Sequence, residues 1–454
     1  MKEKRWMKWP MAMAVAAMMF GCGGDDDEPS PGEEQEEAEA PGETLASSLE
    51  RELSPQVEDQ DFAQFTADNR DFSFSLLHQL LEEEGEDENI FFSPHSISIA
   101  LAMTYAGARE NTKEEMAQVL RFHLDDEVLH PAFNKLDLEL AERSEVEVED
   151  EDDEAFDLDI VNQTWGQKEF EFLDEYLDLL ALNYGASMRV VDFAANYEEI
   201  RKEINQWVED RTNDRIQDLL PEDSLSALTR FVLVNAIYFY GSWKHPFNDS
   251  STADADFHLL DDTTVEVPLM TNTERFGYYK GEDTIAASLP YVGDQVSLVA
   301  VMPAEAEEDF LEWEANFARA DFDDVVEQMT TRETRVFFPR FEDEGAYGLA
   351  ETFEEMGMVD AFDDCEADFS GITGAPPCTP WESLFISDIL HKSFVSVDEE
   401  GTEAAAATAV IMDTLTDSEP EPPPVVRFDR PFYYVIYDHP TDTILFMGRM
   451  VDPS

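Results

Sequence analysis

Residues 399–424 read EEGTEAAAATAVIMDTLTDSEPEPPP, and the two halves of this stretch ask for different things. The first half joins Gly401, Thr402 and Glu403 to four alanines, Ala404, Ala405, Ala406 and Ala407, followed by Thr408, Ala409, Val410 and Ile411. The second half is rich in proline and acid, so it favours an extended, hydrated chain that neither continues a helix nor donates to a sheet ladder. Alanine is the best helix former, so EAAAATA fits one short helix, and it fits a flexible linker equally well. The segment has too little bulk to fill a core, yet it is too apolar for an ordinary solvated loop.

The flanks favour a third reading. Upstream, HKSFVSVD mixes apolar and polar residues as a strand does, and downstream VVRFDRPFYYVIYD and TILFMGRMV read as buried strands. An exposed segment tied to strands at both ends, with small side chains throughout its first half, can slip between two strands without overpacking them. EEGTEAAAATAV resembles the hinge of the serpins, and FDRPFYYVIYDHPTDTILFMGRMVDP resembles their C-terminal signature. Further matches follow in the expected order: NIFFSPHSISIALAMTYAGARENTKEEMAQVLRF, INQWVEDRTNDRIQDLL, FVLVNAIYFYGSWKHPF and DFSGIT.

The resemblance implies a mixed α/β (α+β) fold with three β-sheets, about eight or nine helices and an exposed reactive-centre loop. It implies a suicide inhibitor of serine or cysteine endopeptidases: the protease attacks the loop, forms an acyl-enzyme, and is carried away as the loop inserts into the main sheet. Glu399, Glu400 and Gly401 to Thr408 match the hinge. The family's usual spacing from Gly401 puts Leu415 before the scissile bond and Thr416 after it, although TDSEPEPPPVV is several residues longer than usual. Leu415 suits a chymotrypsin-, elastase- or subtilisin-like target. Thr402 is expected to be largely exposed before cleavage. After insertion Thr402, Ala404, Ala406, Thr408, Val410 and Met412 would face the core, with Glu403 and Asp413 outward. Ser93, Ser96, Asn235 and His391 match a polar cluster beneath the opening sheet, and Trp243, Arg340 and Glu399 match the site where the loop first enters. The alternative on the same fold is a non-inhibitory binding or structural protein, whose hinge often carries bulky or charged residues.

The rest of the chain frames this domain, expected over residues 62–454. Residues 1–22 combine Lys2, Lys4, Arg5 and Lys8 with an apolar run from Met11 to Phe20, a targeting segment too short to be a membrane span. Its end, Met19-Phe20-Gly21-Cys22, resembles a bacterial lipoprotein cleavage box with Cys22 as the lipidated residue; a plain secretion signal is the alternative. The expected location is outside a bacterial cell, lipid-anchored at the envelope or secreted, with no other membrane contact. Residues 23–61 carry fifteen acidic residues and one basic, and read as a disordered linker that buries too little to offset its ordering entropy. Within the domain, EEIRKEINQWVEDRTNDRIQDLLP reads as one helix ending before Pro221.

The formal net charge of −75 is spread over the folded body as well as the linker. Such a surface repels nucleic acid and anionic polysaccharide, which are recognised by clustered Lys and Arg. The run EVEVEDEDDEAFDLD lies after the helix where some serpins bind heparin, so no heparin-like cofactor is expected here. The acidity suits a high-salt medium, where screening removes self-repulsion; an acidic secreted protein is the alternative. There is no G-x-S-x-G, H-E-x-x-H, phosphate-cradling glycine loop or C-x-x-C, so neither an enzyme nor a metal or other cofactor is expected. Cys365 and Cys378 either form a disulfide or stay reduced. A monomer is expected.

Overall fold

The computed structural model describes residues 40–145, 156–212, 214–306, 309–380, 382–402 and 422–454. Ten α-helices occur among them: α1 (Asp59–Glu84), α2 (Pro94–Tyr105), α3 (Glu110–Leu120), α4 (Asp126–Ala141), α5 (Asp174–Tyr184), α6 (Phe193–Arg211), α7 (Phe310–Glu314), α8 (Arg319–Gln328), α9 (Ala350–Met356) and α10 (Ser370–Thr373). The strands are β1 (Glu43–Leu45), β2 (Ile90–Phe92), β3 (Phe156–Gln167), β4 (Met188–Val191), β5 (Phe231–Ser242), β6 (Ala253–His258), β7 (Thr264–Lys280) and β8 (Thr284–Pro290). They continue with β9 (Val296–Pro303), β10 (Thr330–Pro339), β11 (Phe341–Gly348), β12 (Leu390–Val397), β13 (Gly401–Thr402), β14 (Val425–Arg427), β15 (Phe432–Asp438) and β16 (Thr443–Met450).

The main sheet runs β1-β4-β3-β5-β13-β12-β11. The other strands form one hydrogen-bonded network, β14-β10-β7-β8-β9-β15-β16-β2 with β6 on β7. It makes two sheets because the long β7 serves both: β6 pairs with its first residues and β8 with its last, on the same edge, while β10 runs along the other edge. This is the expected mixed α/β fold with three sheets. The ten helices include eight of seven residues or more, against the eight or nine expected.

Helix α2 is the hub. Ser93 caps it, accepting from the Ser96 amide, and Pro94 occupies the first turn, where a missing N–H costs nothing. Every residue of α2 is buried, as an all-round apolar helix must be when packed on two sides. It lies between β5 and the β15–β16 hairpin, whose strand residues are also all buried. Face-to-face packing of Phe91 against Phe446 and Tyr434 joins β2 to that hairpin.

Two expectations fail here. The helix beginning near Phe193 stops at Arg211 rather than at Leu220. Thr212 turns the chain by donating its hydroxyl to the Val208 carbonyl and accepting from the Ile216 amide, which frees Ile216, Leu219 and Leu220 to fill a core cluster with Trp207 and Val208. The linker expected over 23–61 is also too long: from Ala40 the chain is packed on the body. Ala40 is buried, the Pro41 carbonyl accepts from the Trp165 indole at 3.0 Å, and β1 pairs with β4. Partners more than a hundred residues away supply the burial that this acidic composition lacks by itself.

Candidate functional site

The central strands β5 and β12 are parallel neighbours, hydrogen-bonded directly only over Asn235–Ile237 and His391–Ser393. Higher up they part, and Gly401–Thr402 sits between them, antiparallel to both. Thr402 is level with Gly241 on one side and Val397 on the other; Gly401 is level with Ser242. A Cβ on Gly401 would come within 2.2 Å of the Gly241 carbonyl oxygen, so a residue with no side chain is needed at this close approach.

Thr402 corrects the expectation of exposure. It has no accessible surface, and its hydroxyl lies 2.8 Å from the Tyr291 hydroxyl. The chain has already begun to enter the sheet, because the groove offers a β-bridge on each side and a hydrogen bond for the side chain. Burial raises the Tyr291 phenol well above its usual range, so it stays protonated.

The chain is led into this groove by a tight turn. The Asp398 carboxylate accepts from the amides of Glu400 and Gly401 at 2.9 and 3.1 Å, and burial raises its pKa. The Trp243 indole donates to the Asp398 carbonyl at 2.9 Å and stacks on Tyr291 with ring centres 4.6 Å apart. The Trp243 and Phe247 amides donate to the carbonyls of Glu400 and Glu399. The Glu399 side chain is buried, accepting from Thr252 at 2.6 Å and pairing with the half-exposed Arg340 at 3.5 Å. Trp243, Arg340 and Glu399 therefore converge where the hinge enters.

Ser93, Ser96 and His391 meet below the groove, where β5 and β12 are still joined. His391 Nε2 accepts from the Ser93 amide at 3.1 Å, and the Ser93 hydroxyl donates to the Leu445 carbonyl at 2.7 Å while accepting from the Ser96 amide. Complete burial pushes the His391 imidazole down to about 3, so it is neutral and can act as an acceptor. Asn235 is the β5 partner of His391 in the ladder.

Sequence reasoning missed Tyr291, Asp398 and Ser393, whose hydroxyl donates to the Phe91 carbonyl at 2.9 Å. Asp398 carried a local signal, an aspartate three residues before a glycine. Tyr291 and Ser393 carried none, since their partners come from remote segments. Glu403 to Thr408, Leu415, Thr416 and Cys22 lie outside the described residues. Cys365 and Cys378 are joined in a disulfide. Among the described residues no group of three or more His, Cys, Asp or Glu is arranged to hold a metal ion, and no helix is long and apolar enough to cross a membrane.

A fold whose central strands are parted at one end by Gly401–Thr402, above a buried Ser–His cluster, defines a class of protein. Residues 67–453 match the family model described as serpin (serine protease inhibitor), and the chain belongs to that family. A serpin-like protein of Thermococcus kodakarensis is 38% identical over 383 residues, covering 84% of each chain. Leukocyte elastase inhibitor A of Mus musculus is 37% identical over 399 residues, covering 86% of this chain and all of the relative. The crystal structure of the thermophilic serpin tengpin in its native state superposes with a TM-score of 0.76 at 27% identity, covering 90% of this chain and 99% of that one.

Proposed function

We propose that this chain is a suicide-substrate inhibitor of serine, or cysteine, endopeptidases that acts by loop cleavage and insertion. The observation that carries this reading is Gly401–Thr402 held between β5 and β12. Continuing that register by two residues at a time would bring Ala404 level with Val395 and Phe239, Ala406 level with Ser393 and Ile237, and Thr408 level with His391 and Asn235. Small side chains at these positions can enter without overpacking. The last two of those steps must break the direct β5–β12 ladder at the Ser93–His391 cluster, so the cluster sets how readily the sheet opens. The name of the mouse relative, an elastase inhibitor, supports a protease partner of this kind.

The test is incubation with chymotrypsin-, elastase- and subtilisin-like proteases, looking for a covalent complex on a denaturing gel. Cleavage without any complex would instead mark a non-inhibitory member of the family. With Leu415 before the scissile bond, Leu415→Arg is expected to move inhibition from proteases with an apolar primary pocket to trypsin-like ones. Sequencing the loop fragment checks the bond, and a cut beyond Asp417 would overturn the assignment.

The same reading includes export and a lipid anchor on Cys22, at the end of a segment whose basic start and apolar run support targeting. Because stable anchoring takes more than one acyl chain, at least two are expected. The mature protein should partition with membranes, and Cys22→Ser should release it to the soluble fraction. An unmodified N-terminus by mass spectrometry would refute the anchor.

A further inference from the structure

Residues 40–58 precede the family match, which starts at residue 67, yet they lace across several elements of the body. At one end, Ala40 packs in the cluster formed by α6 with Trp165 and Val191, and Gly42 adopts φ +101 where a Cβ would meet Val191 at 2.6 Å and the Val190 carbonyl oxygen at 2.8 Å. Then β1 covers the outer edge of β4, with Glu43, Thr44 and Leu45 level with Val190, Arg189 and Met188. At the other end, the Arg51 guanidinium donates to Asn134 and Asp137 of α4, at 2.7 Å to Asn134 Oδ1. The Asn134 amide donates to the Glu52 carbonyl at 2.6 Å, and the Glu52 amide donates to the Leu182 carbonyl of α5 at 3.0 Å. Helix α4 is in turn packed on α1 through Phe133 and Phe65, 4.7 Å apart.

This segment therefore ties the outer edge of one half-sheet, β4-β3-β5, to the helical layer. That half lies on one side of the Gly401–Thr402 wedge, and β12 and β11 lie on the other. Widening the sheet moves the two halves apart. A strap fixed to β4 at one end and to α4 at the other must stretch or let go as that happens. We propose that residues 40–58 are a brace that resists opening of the main sheet and so sets the rate at which the loop can enter; the second clause rests on the insertion reading above. A simple cover for an exposed strand edge would stabilise the whole fold alike, whereas a brace acts selectively on the β5–β12 ladder.

Amide hydrogen exchange on the full, uncleaved chain separates these, because it reports local opening segment by segment. Gly42→Val combined with Arg51→Ala loosens both ends of the strap; it should speed exchange of residues 235–237 and 391–393 at least about tenfold while leaving the β15–β16 ladder unchanged. Leu45→Cys with Met188→Cys, oxidised, locks β1 on β4 and should slow exchange of the same residues. Reduction should reverse this relative to the wild-type chain in the same reductant. Should the loosened variant fail to fold, the locked one still decides. Unchanged exchange at this ladder in the folded variants overturns the brace, as does an equal rise in the β15–β16 ladder. No protease enters this measurement, so a chain that shows the expected exchange but forms no covalent complex would keep the brace and overturn the inhibitor reading.

Discussion

On the proposed insertion mechanism, Thr402→Arg is expected to turn the chain from an inhibitor into a substrate. Thr402 has no accessible surface and fits between Gly241 and Val397 with its hydroxyl on Tyr291. An arginine there would bury an unpaired cation, at a cost of several kcal/mol, so the hinge is expelled and the groove must be re-entered after cleavage. If about 2.7 kcal/mol of that appears in the insertion barrier, insertion slows roughly a hundredfold. Deacylation belongs to the protease and is unchanged, so it now wins the race. The variant should be cut at the same bond as the wild type and release active protease. Its stoichiometry of inhibition should rise steeply, while Thr402→Ser, which keeps the hydroxyl, should stay close to wild type. An unchanged stoichiometry for Thr402→Arg would overturn the insertion mechanism for this chain.

The second large effect is acid loss of stability through His391. Burial holds its imidazole down to about 3, whereas in the unfolded chain it titrates near an ordinary value of about 6.5. Between those values the unfolded state binds the extra proton, so stability rises with pH. The contribution is fully present above about pH 6.5 and is lost at about 1.4 kcal/mol per unit as pH falls towards 3. By pH 4.5 that amounts to a few kcal/mol from this one group. Protonation would also remove the acceptor that Nε2 offers to the Ser93 amide. His95 and His130, both lowered to about 4 chiefly by burial, act in the same direction. Asp343, raised to about 6 by burial, opposes them below that pH, because its folded form takes the proton first. Denaturant unfolding of wild type and His391→Asn at steps from pH 7 to 4.5, at constant salt, should give a slope shallower by about one proton for the variant. Equal slopes would refute the assignment.

The sequence by itself determined the elements whose signals are local. Ser93-Pro94 starts α2 because a serine cap and a proline in the first turn suit the chain's own unpaired N–H groups. VSLVAVMP and the FYYVIYD and TILFMGRM runs are strands because continuous apolar runs of that length fit a sheet buried on both faces. Glycine followed by small residues suits a segment that passes between strands, and its reading as a hinge rests on the resemblance of EEGTEAAAATAV to that of the serpins.

Tertiary structure decided the rest, wherever the deciding partner lies far along the chain. Composition makes residues 40–58 a hydrated linker, but Trp165, Met188 to Val190, Asn134 and Asp137 turn them into a strap. Propensity carries the helix from Phe193 past Arg211, but the core cluster needed Leu219 and Leu220 facing inward, and burial of two leucines outweighs a few residues of helix preference. Thr402 looks like an exposed loop residue in the sequence. It is buried because β5 and β12, 161 and 5 residues away at their paired positions Gly241 and Val397, stand one strand apart at that height. A gap between two strands is a property of how they pack, and no window of the sequence contains it.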